Sequence, residues 1–128
     1  METCAIHPSG YQLAIACSDK ISVNLIFEDG LREINTIMVS HAHLLKYSRG
    51  GHILFVVDRT GLKIYNAYTL KLLTDPIKLD GPKICDLVCS DLDRAFALIS
   101  NTGTCHKYEM PSFKEIMAIE DPEEEKED

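Results

Sequence analysis

Thiols and imidazoles are the side chains of this sequence whose chemistry includes metal binding and nucleophilic attack. The 128 residues include five cysteines and five histidines. Cys85 and Cys89 stand four residues apart, so both would lie on one face of an extended strand, and His106 directly follows Cys105. Structural zinc sites pair their ligands at closer spacings such as C-x2-C, and no such pair occurs. We therefore expect the cysteines to pack as small apolar residues in strands, with no bound metal, no cofactor and no catalytic residue.

Two glycine-containing turns, Gly50-Gly51 and residues 58–61, are the other candidates for ligand chemistry. Neither the G-x-x-x-x-G-K-[ST] pattern nor G-x-G-x-x-G occurs in the sequence, so a phosphate-binding loop is not indicated. Both turns lie next to an apolar run, where glycine and aspartate supply the backbone freedom that tight hairpins need. We predict hairpin turns at both places, and we expect Asp91 and Asp93 to lie in a solvated turn.

The negative charge of the chain is concentrated at one end. The formal charge is −7 at pH 7, and residues 120–128 carry seven acids and one lysine. Residues 1–119 hold 13 acids against 12 bases, which argues against nucleic-acid binding because that requires a concentrated basic face. No apolar run is long enough for a transmembrane helix, and the first residues do not resemble a secretory signal. We expect a cytoplasmic protein without membrane insertion, whose residues 120–128 form a disordered acidic tail or linker.

An internal repeat is the strongest signal in the sequence. Three apolar runs, residues 13–17, 53–57 and 95–99, begin 40 and 42 residues apart. Each lies between two turns, and strand-like segments flank the turns at 3–7, 21–27, 44–48, 62–68, 84–90 and 104–110, with a more polar segment closing each unit at 31–39, 69–74 and 113–119. The residues assigned to the turns are Pro8, Gly10, Asp19, Gly50, Gly51, Gly61 and Gly103.

Four strands in about 40 residues, repeated three times, are typical of β-propeller blades of the WD40 type. We therefore predict an all-β chain in which residues 1–119 form about three four-stranded blades of a partial propeller, at about 1–40, 41–80 and 81–119. A helical interpretation fails because the apolar runs are short and bounded by turns.

The second strand of each unit is apolar throughout rather than alternating, so both faces of each sheet are expected to be covered. The pattern predicts that Ile15, Phe55, Val57, Phe96 and Leu98 are buried. The fourth strands mix apolar and charged residues, as expected of an outermost strand whose edge meets water.

The repeats resemble WD repeats, although the chain contains no tryptophan. Tyr65 and Tyr108 stand where the tryptophan of that family falls, seven residues after Asp58 and Asn101, and in the first unit this place lies near Asn24. His41 or His43 takes the place of the family's Gly-His dipeptide. The resemblance implies at most a partial form of the family's buried hydrogen-bond chain, made by His41 or His43 with Asp58 and Tyr65.

A closer resemblance covers residues 6–70. The segments at 6–10, 18–20, 24–26, 50–52 and 64–65 are similar to a stretch of the axonemal, cilia- and flagella-associated WD-repeat proteins. This resemblance implies a non-enzymatic scaffold of the cilium or flagellum, part of the cytoskeleton, with axonemal and microtubule-associated protein partners. Two alternatives stay open: a generic cytosolic WD-repeat adaptor, for example in trafficking or ubiquitin ligation, and a Cys/His metal-binding or enzymatic domain.

Three blades are too few to close a ring, since propellers usually have four or more. An open arc would leave apolar surface uncovered at residues 13–17 and 95–99, and such patches mark interfaces. We therefore expect the propeller to be completed by another chain, a second copy or a large assembly.

Overall fold

A computed structural model describes residues 3–79, 81, 83–110 and 115–119. The described residues form twelve strands in three antiparallel sheets of four, and each sheet keeps its strands in chain order. The strands are β1 (Thr3–Ile6), β2 (Gln12–Ala16), β3 (Ile21–Phe27), β4 (Gly30–Ile37), β5 (Leu44–Tyr47), β6 (Ile53–Val57), β7 (Gly61–Asn66), β8 (Ile77–Lys78), β9 (Ile84–Cys89), β10 (Ala95–Ser100), β11 (Cys105–Glu109) and β12 (Glu115–Ile119). The prediction of an all-β chain with three four-stranded repeats is therefore confirmed.

The chain divides into two compact units after Leu79. The first unit contains the sheets β1–β4 and β5–β8, and the second contains the sheet β9–β12. The predicted acidic segment 120–128 lies outside the described residues.

The turn between the first two strands is built in the same way in all three sheets. His7, Ser48 and Ser90 occupy its first position, 41 and 42 residues apart, and each donates its main-chain N–H to the carbonyl five residues later, at 2.8, 2.9 and 2.9 Å. The residue three positions on has a positive φ in each case: Gly10 at 81°, Gly51 at 82° and Asp93 at 51°. The repeat in the sequence is thus a repeat of hairpin geometry.

The core of the first unit lies between its two sheets. The first sheet contributes Ala14 and Ala16 on β2 together with Ile21 and Ile37 on β3 and β4, and the second contributes larger residues such as Leu54 and Tyr65 to the same buried cluster. The small side chains of β2 leave room for large residues of the facing sheet, which is how facing layers reach the packing density of a protein interior.

The predicted burial is confirmed at Phe55, Val57, Phe96 and Leu98 and wrong at Ile15, which is only partly buried. Ile15 points away from Ala14 and Ala16, so it lies on the face of the first sheet that does not meet the second. Its partner across the ladder is Ser22, which donates a 2.9 Å hydrogen bond to the Glu33 carboxylate. This face is therefore mixed polar and apolar.

The outermost strands behave differently in the two sheets of the first unit. β4 is exposed at every residue but its last, as predicted for an outermost strand. Residues 69–74, by contrast, were expected to form the fourth strand of the second sheet, and they contribute only an isolated antiparallel bridge, from Leu72 to Tyr65 on β7. The Asn66 side chain accepts hydrogen bonds from the main-chain N–H groups of Tyr68 and Thr69 at 2.8 and 3.0 Å in an Asx turn, and the fourth strand itself is β8.

Truncating Phe55 to Ala should lower the free energy of unfolding by about 3–5 kcal/mol, because this 1% exposed ring would leave a cavity in a sheet buried on both faces. Phe27→Ala is the matched control, since Phe27 is 48% exposed and its loss should cost at most about 1 kcal/mol. Urea titration measures both. A cost below about 1 kcal/mol for Phe55→Ala would contradict two-sided burial.

Candidate functional site

His7 joins the two sheets of the first unit. The residue follows β1 and is buried, and its Nε2 lies 2.7 Å from the main-chain oxygen of Gly51, in the first turn of the second sheet. A carbonyl oxygen only accepts hydrogen bonds, so Nε2 must carry the proton and donate. The bond links two turns that are 44 residues apart in the chain.

The other ring nitrogen fixes the protonation state. Nδ1 of His7 lies 3.0 Å from the main-chain N–H of Ser9, and an N–H only donates, so Nδ1 must be unprotonated. The Ser9 hydroxyl lies 2.8 Å from the same nitrogen and accepts from the N–H of Tyr11 at 3.2 Å. The imidazole is therefore neutral, with its hydrogen on Nε2, and both nitrogens are used.

Glycine is the only residue type that position 51 of this junction accommodates. Its φ is 82°, and a Cβ built on it would lie 2.5 Å from both Cε1 and Nε2 of His7. Atoms at that distance overlap, so any side chain at position 51 would push the imidazole away from its carbonyl acceptor.

Tyr47 completes the junction from the second sheet. Its ring meets the His7 imidazole edge to face, with centroids 5.1 Å apart, and its hydroxyl accepts a 2.9 Å hydrogen bond from the Gln12 side chain. Burial raises the pKa of Tyr47, and the bond from Gln12 only partly offsets that effect. The junction thus consists of polar groups from both sheets that satisfy one another in a buried place.

A groove of about 430 Å³ runs beside this junction, between β1 and β5. These are the first strands of the two sheets, and each pairs with only one neighbour among the described strands. The residues that line the groove are Cys4, Ala5, Ile6, Pro8, Leu45, Lys46, Tyr47, Ser48 and Arg49. The volume falls in the range of ligand sites, and the groove contains no group arranged as a nucleophile beside a base.

Asp58 organises the opposite end of the second sheet, in the turn between β6 and β7. Its Oδ1 accepts hydrogen bonds from the N–H and hydroxyl of Thr60 at 2.8 and 2.7 Å and from the N–H of Gly61 at 3.1 Å. Its Oδ2 lies 3.0 Å from Nζ of Lys63. Burial alone would raise the pKa of Asp58, but the bonds from Thr60 and Lys63 and the charge of Lys63 outweigh burial and hold the pKa below its ordinary value.

The histidines assigned to this end by resemblance separate in the structure. The N–H of His43 donates to the carbonyl of Val57 at 2.9 Å, directly beside Asp58, whereas the N–H of His41 donates to Ser18 in the first sheet at 2.9 Å. Tyr65 is buried on β7, opposite Leu54. Burial raises the pKa of Tyr65. The charge of Lys63 opposes that rise and the charge of Asp58 adds to it, so both charges act on the tyrosine.

In the third sheet, Tyr108 is buried and stacks on Phe96 with centroids 5.1 Å apart and planes 11° from parallel. Asn24, Tyr65 and Tyr108 occupy equivalent positions in the three sheets. Their cross-strand partners are Leu13, Leu54 and Phe96, respectively. Asn101 is exposed in a turn and donates its N–H to Lys83 at 2.9 Å. The residue of this sheet that matches Asp58 is Ser100, whose Oγ accepts from the N–H groups of Thr102 and Thr104 at 3.3 and 3.0 Å.

The turn residues assigned from the sequence lie at two opposite ends of the sheets, so they do not form one site. Pro8, Gly10, Gly50 and Gly51 belong to first turns, whereas Asp19, Gly61 and Gly103 belong to second turns.

His7 was not singled out by the sequence, because its partner Gly51 is 44 residues away. Its only signal is its place in the repeat, where the other two units have Ser48 and Ser90.

Metal and membrane signals are absent from the described part of the chain. Among residues 3–79, 81, 83–110 and 115–119, no three His, Cys, Asp or Glu side chains come together as a metal site. The same residues contain no helix that is long and apolar enough to cross a membrane.

No protein family profile matches this sequence. A curated relative, cilia- and flagella-associated protein 57 A of Tetrahymena thermophila, is 24% identical over 99 residues. The match covers 77% of this chain but 8% of that protein, so this chain spans a small part of the relative's length.

Solved structures share the fold at low identity. The WD40 repeats of RRP9 match 91% of this chain at 15% identity with a TM-score of 0.76, and this chain covers 37% of that structure. Kuenenia stuttgartiensis hydrazine synthase matches 91% of this chain at 16% identity with a TM-score of 0.75, and this chain covers 36% of that structure. Kluyveromyces lactis Hsv2 matches 90% of this chain at 13% identity with a TM-score of 0.67, and this chain covers 34% of that structure. This chain therefore has the fold of WD40 β-propeller repeats, over part of a propeller's length.

Gly51→Ala should destabilise the protein more than Gly10→Ala. Both glycines have a φ near 81°, so both substitutions bear the left-handed backbone cost of about 1–2 kcal/mol. Only the methyl group at position 51 meets the His7 ring, whereas position 10 has open space, and overpacking adds about 1–3 kcal/mol. Urea unfolding measures the difference, and in a His7→Ala background the two glycine substitutions should become equal. Equal costs in the wild-type background would contradict the junction.

The stability of the protein should fall in acid through Asp58. Because its folded pKa is lowered, the carboxylate stabilises the folded state above the unfolded value of about 3.9, and this contribution is lost as pH falls through the folded pKa. Asp58→Asn should therefore lower the free energy of unfolding at neutral pH by about 1–3 kcal/mol. Below about pH 4, the free energy of unfolding of this variant should fall less steeply with pH than that of the wild-type protein. Asp19→Asn, in the matching turn of the first sheet, controls for the loss of a turn carboxylate, and an equal effect of both changes would contradict this role of Asp58.

Proposed function

We propose that this chain contributes blades to a WD-repeat scaffold that binds other proteins in the axoneme of cilia or flagella. The observation that carries the proposal is the match to cilia- and flagella-associated protein 57 A over 77% of the chain. The resemblance of residues 6–70 to axonemal WD-repeat proteins supports the same conclusion.

The structure of the first unit suits a binding role. Its core and its His7 junction make two sheets into one rigid body, and exposed loops on a rigid body are where binding residues concentrate. Tyr11 and Tyr68 are 71% and 64% exposed, and the Tyr68 ring lies 6.1 Å from that of His7. Exposed tyrosines beside a fixed junction are side chains of the kind that dominate protein interfaces.

The outer face of the first sheet supports completion of the propeller by further blades. Ile6 is 59% exposed there, beside the partly buried Leu13 and Ile15. The matching solved chains are about three times as long as the part that this chain covers. In this proposal another blade, from the same or another polypeptide, covers that face, as apolar patches of this kind mark interfaces.

A tagged copy expressed in ciliated cells should concentrate along cilia and stay with the axoneme after detergent extraction. Fluorescence imaging before and after extraction measures this retention. A diffuse signal that detergent removes would contradict the axonemal proposal and favour the cytosolic adaptor in trafficking or ubiquitin ligation.

A charge on the outer face of the first sheet should reduce retention, because burying an unpaired carboxylate beneath a neighbouring blade is costly. Ile6→Glu introduces that charge, and Ile34→Glu on β4 is the matched control, since Ile34 is 48% exposed on the outermost strand. Equal retention of both variants would show that the Ile6 face is not covered.

A further inference from the structure

One face of the third sheet is open. Cross-strand partners lie on the same face of a sheet, and the partners of Ala97 are Val88 on β9 and Lys107 on β11. Val88 is 43% exposed, Lys107 is exposed and Ala97 is only partly buried. Phe96 and Leu98 point to the opposite face and are fully buried. We call the open surface around Val88, Ala97 and Lys107 the Ala97 face.

Small side chains leave a pocket on the Ala97 face. Its volume is about 170 Å³, and Ala95 and Ala97 both line it. The first sheet has an alanine at the equivalent place, because Ala14 follows Leu13 as Ala97 follows Phe96. Ala14 packs in one buried cluster with large residues of the second sheet. The Ala97 face therefore has the form of a surface that receives a large apolar side chain from another sheet.

The packed sheets of the first unit show which kind of face fits. Leu13, Leu54 and Phe96 are equivalent, and the face of the first sheet that carries Ala14 packs on the face of the second sheet that carries Leu54. By the same geometry, the Ala97 face fits a face that carries Leu13, Leu54 or Phe96. Leu54 and Phe96 are buried, whereas Leu13 is only partly buried. Of the described sheets, the first therefore offers the open face of this kind.

The corresponding surface of the first sheet is apolar with one fixed carboxylate. Leu13 lies beside its exposed partner Ile6 on β1, and Glu33 lies on the same face two strands away. Ser22 donates a 2.9 Å hydrogen bond to the Glu33 carboxylate, and Nζ of Lys20 lies 3.9 Å from it. We call the surface around Ile6, Leu13 and Glu33 the Leu13 face.

A cation and a carboxylate come within reach when these two faces meet. Lys107 lies one strand from Ala97, and Glu33 lies two strands from Leu13 in the same strand order. Strands lie about 4.8 Å apart and packed sheets about 10 Å apart, so Lys107 spans the gap to Glu33 when Ala97 lies opposite Leu13. The Ala97 face also carries two carboxylates, those of Asp86 and Glu109. The complementarity is therefore local to one pair and is not a match of net charges.

We propose that the Ala97 face of one chain packs head to tail on the Leu13 face of a second copy, so that two copies form one closed propeller. One chain has three sheets, and propellers have about four to eight blades. Two copies supply six sheets, whereas three copies would supply nine and exceed that range. The assembly therefore closes at two copies, with two identical interfaces. This inference rests on the covering blade proposed above and names its source.

Sedimentation equilibrium of the full chain measures the assembly directly. The mass should reach twice the 14.4 kDa of one chain and fall towards the single-chain mass on dilution. A single-chain mass at every concentration would overturn the proposal. A mass that rises past two chains would overturn it as well, because head-to-tail contacts that do not close grow into longer assemblies.

A carboxylate on either face should weaken the dimer by about tenfold or more, since burying an unpaired charge is costly. Val88→Glu changes the Ala97 face and Ile6→Glu changes the Leu13 face. Leu73→Glu is the matched control, because Leu73 has the same 43% exposure but lies between β7 and β8, outside both faces. Circular dichroism checks that each variant folds. Equal weakening by Leu73→Glu would overturn the assignment of the faces.

Mixing the two face variants separates head-to-tail packing from a face that packs on its own copy. In a mixed pair one interface carries both glutamates, but the other joins the unchanged Ala97 face of the Ile6→Glu chain to the unchanged Leu13 face of the Val88→Glu chain. The mixture should therefore associate at least about tenfold more tightly than either variant alone. No gain on mixing would overturn the head-to-tail arrangement.

Charge reversal tests the register without changing the apolar surface. Lys107→Glu and Glu33→Lys should each weaken the dimer by at least about twofold, and both changes in one chain should restore part of the loss. Restoration is the decisive readout, because Glu33 also contacts Ser22 and Lys20 within its own chain. Absence of any restoration would overturn the packing of Ala97 on Leu13.

The assembly and the cellular location fail separately. A dimer whose tagged copy is not retained in the axoneme would refute the location and leave the head-to-tail packing standing. A retained chain that sediments as a monomer at every concentration would overturn the packing and leave the location standing.

Discussion

The hydrogen bond from His7 to the carbonyl of Gly51 is the contact on which the first unit depends. It connects two sheets that also share the bond from Gln12 to Tyr47 and an apolar core, whose contacts are non-directional. Its net contribution is only about 0.5–1.5 kcal/mol, but loss of the imidazole would leave buried polar groups without a partner. The requirement for glycine at position 51, the orientation of Ser9 and the edge-to-face contact with Tyr47 all follow from it. So does the fixed spacing of β1 and β5, from which the groove arises.

The second turns show how the three repeats reach one geometry by different means. Asp58 closes its turn with a carboxylate that also holds Lys63, and Ser100 closes the matching turn with a hydroxyl. In the first sheet this position is Cys17, whose N–H donates to the carbonyl of Lys20 at 2.7 Å, a main-chain bond that Asp58 and Ser100 make as well, to Gly61 and Thr104, both at 3.0 Å. Tyr65 and Tyr108, which the resemblance predicts at the tryptophan position of WD repeats, are both buried. A chain without tryptophan thus keeps the blade geometry of WD repeats.

Local patterns in the sequence are sufficient to predict the strands and turns, because the apolar runs and the glycine and aspartate turns recur about every 41 residues. They are insufficient where a contact joins distant residues. The sequence predicts His7 as the last residue of a strand, and only the fold brings Gly51 to it. The charged partner of Asp58 is Lys63 rather than a residue suggested by family resemblance. Residues 69–74 were expected to form a fourth strand, but they follow an Asx turn closed by the Asn66 side chain and reach β7 through the single bridge of Leu72 to Tyr65. Ile15 belongs to an apolar run, yet the face on which it lies is decided by the register with Ser22.

A WD-repeat body with a defined groove and exposed tyrosines is a scaffold whose binding surface is positioned by one buried junction. The most direct test of that junction is the nitrogen-15 NMR spectrum of the His7 ring in the full chain. We expect one neutral tautomer, with Nε2 protonated and Nδ1 unprotonated, and an Nε2 proton that exchanges slowly with water. Ring nitrogens that average between the two tautomers, or rapid exchange of the Nε2 proton, would contradict a buried bond to Gly51 and with it the joining of the two sheets through His7.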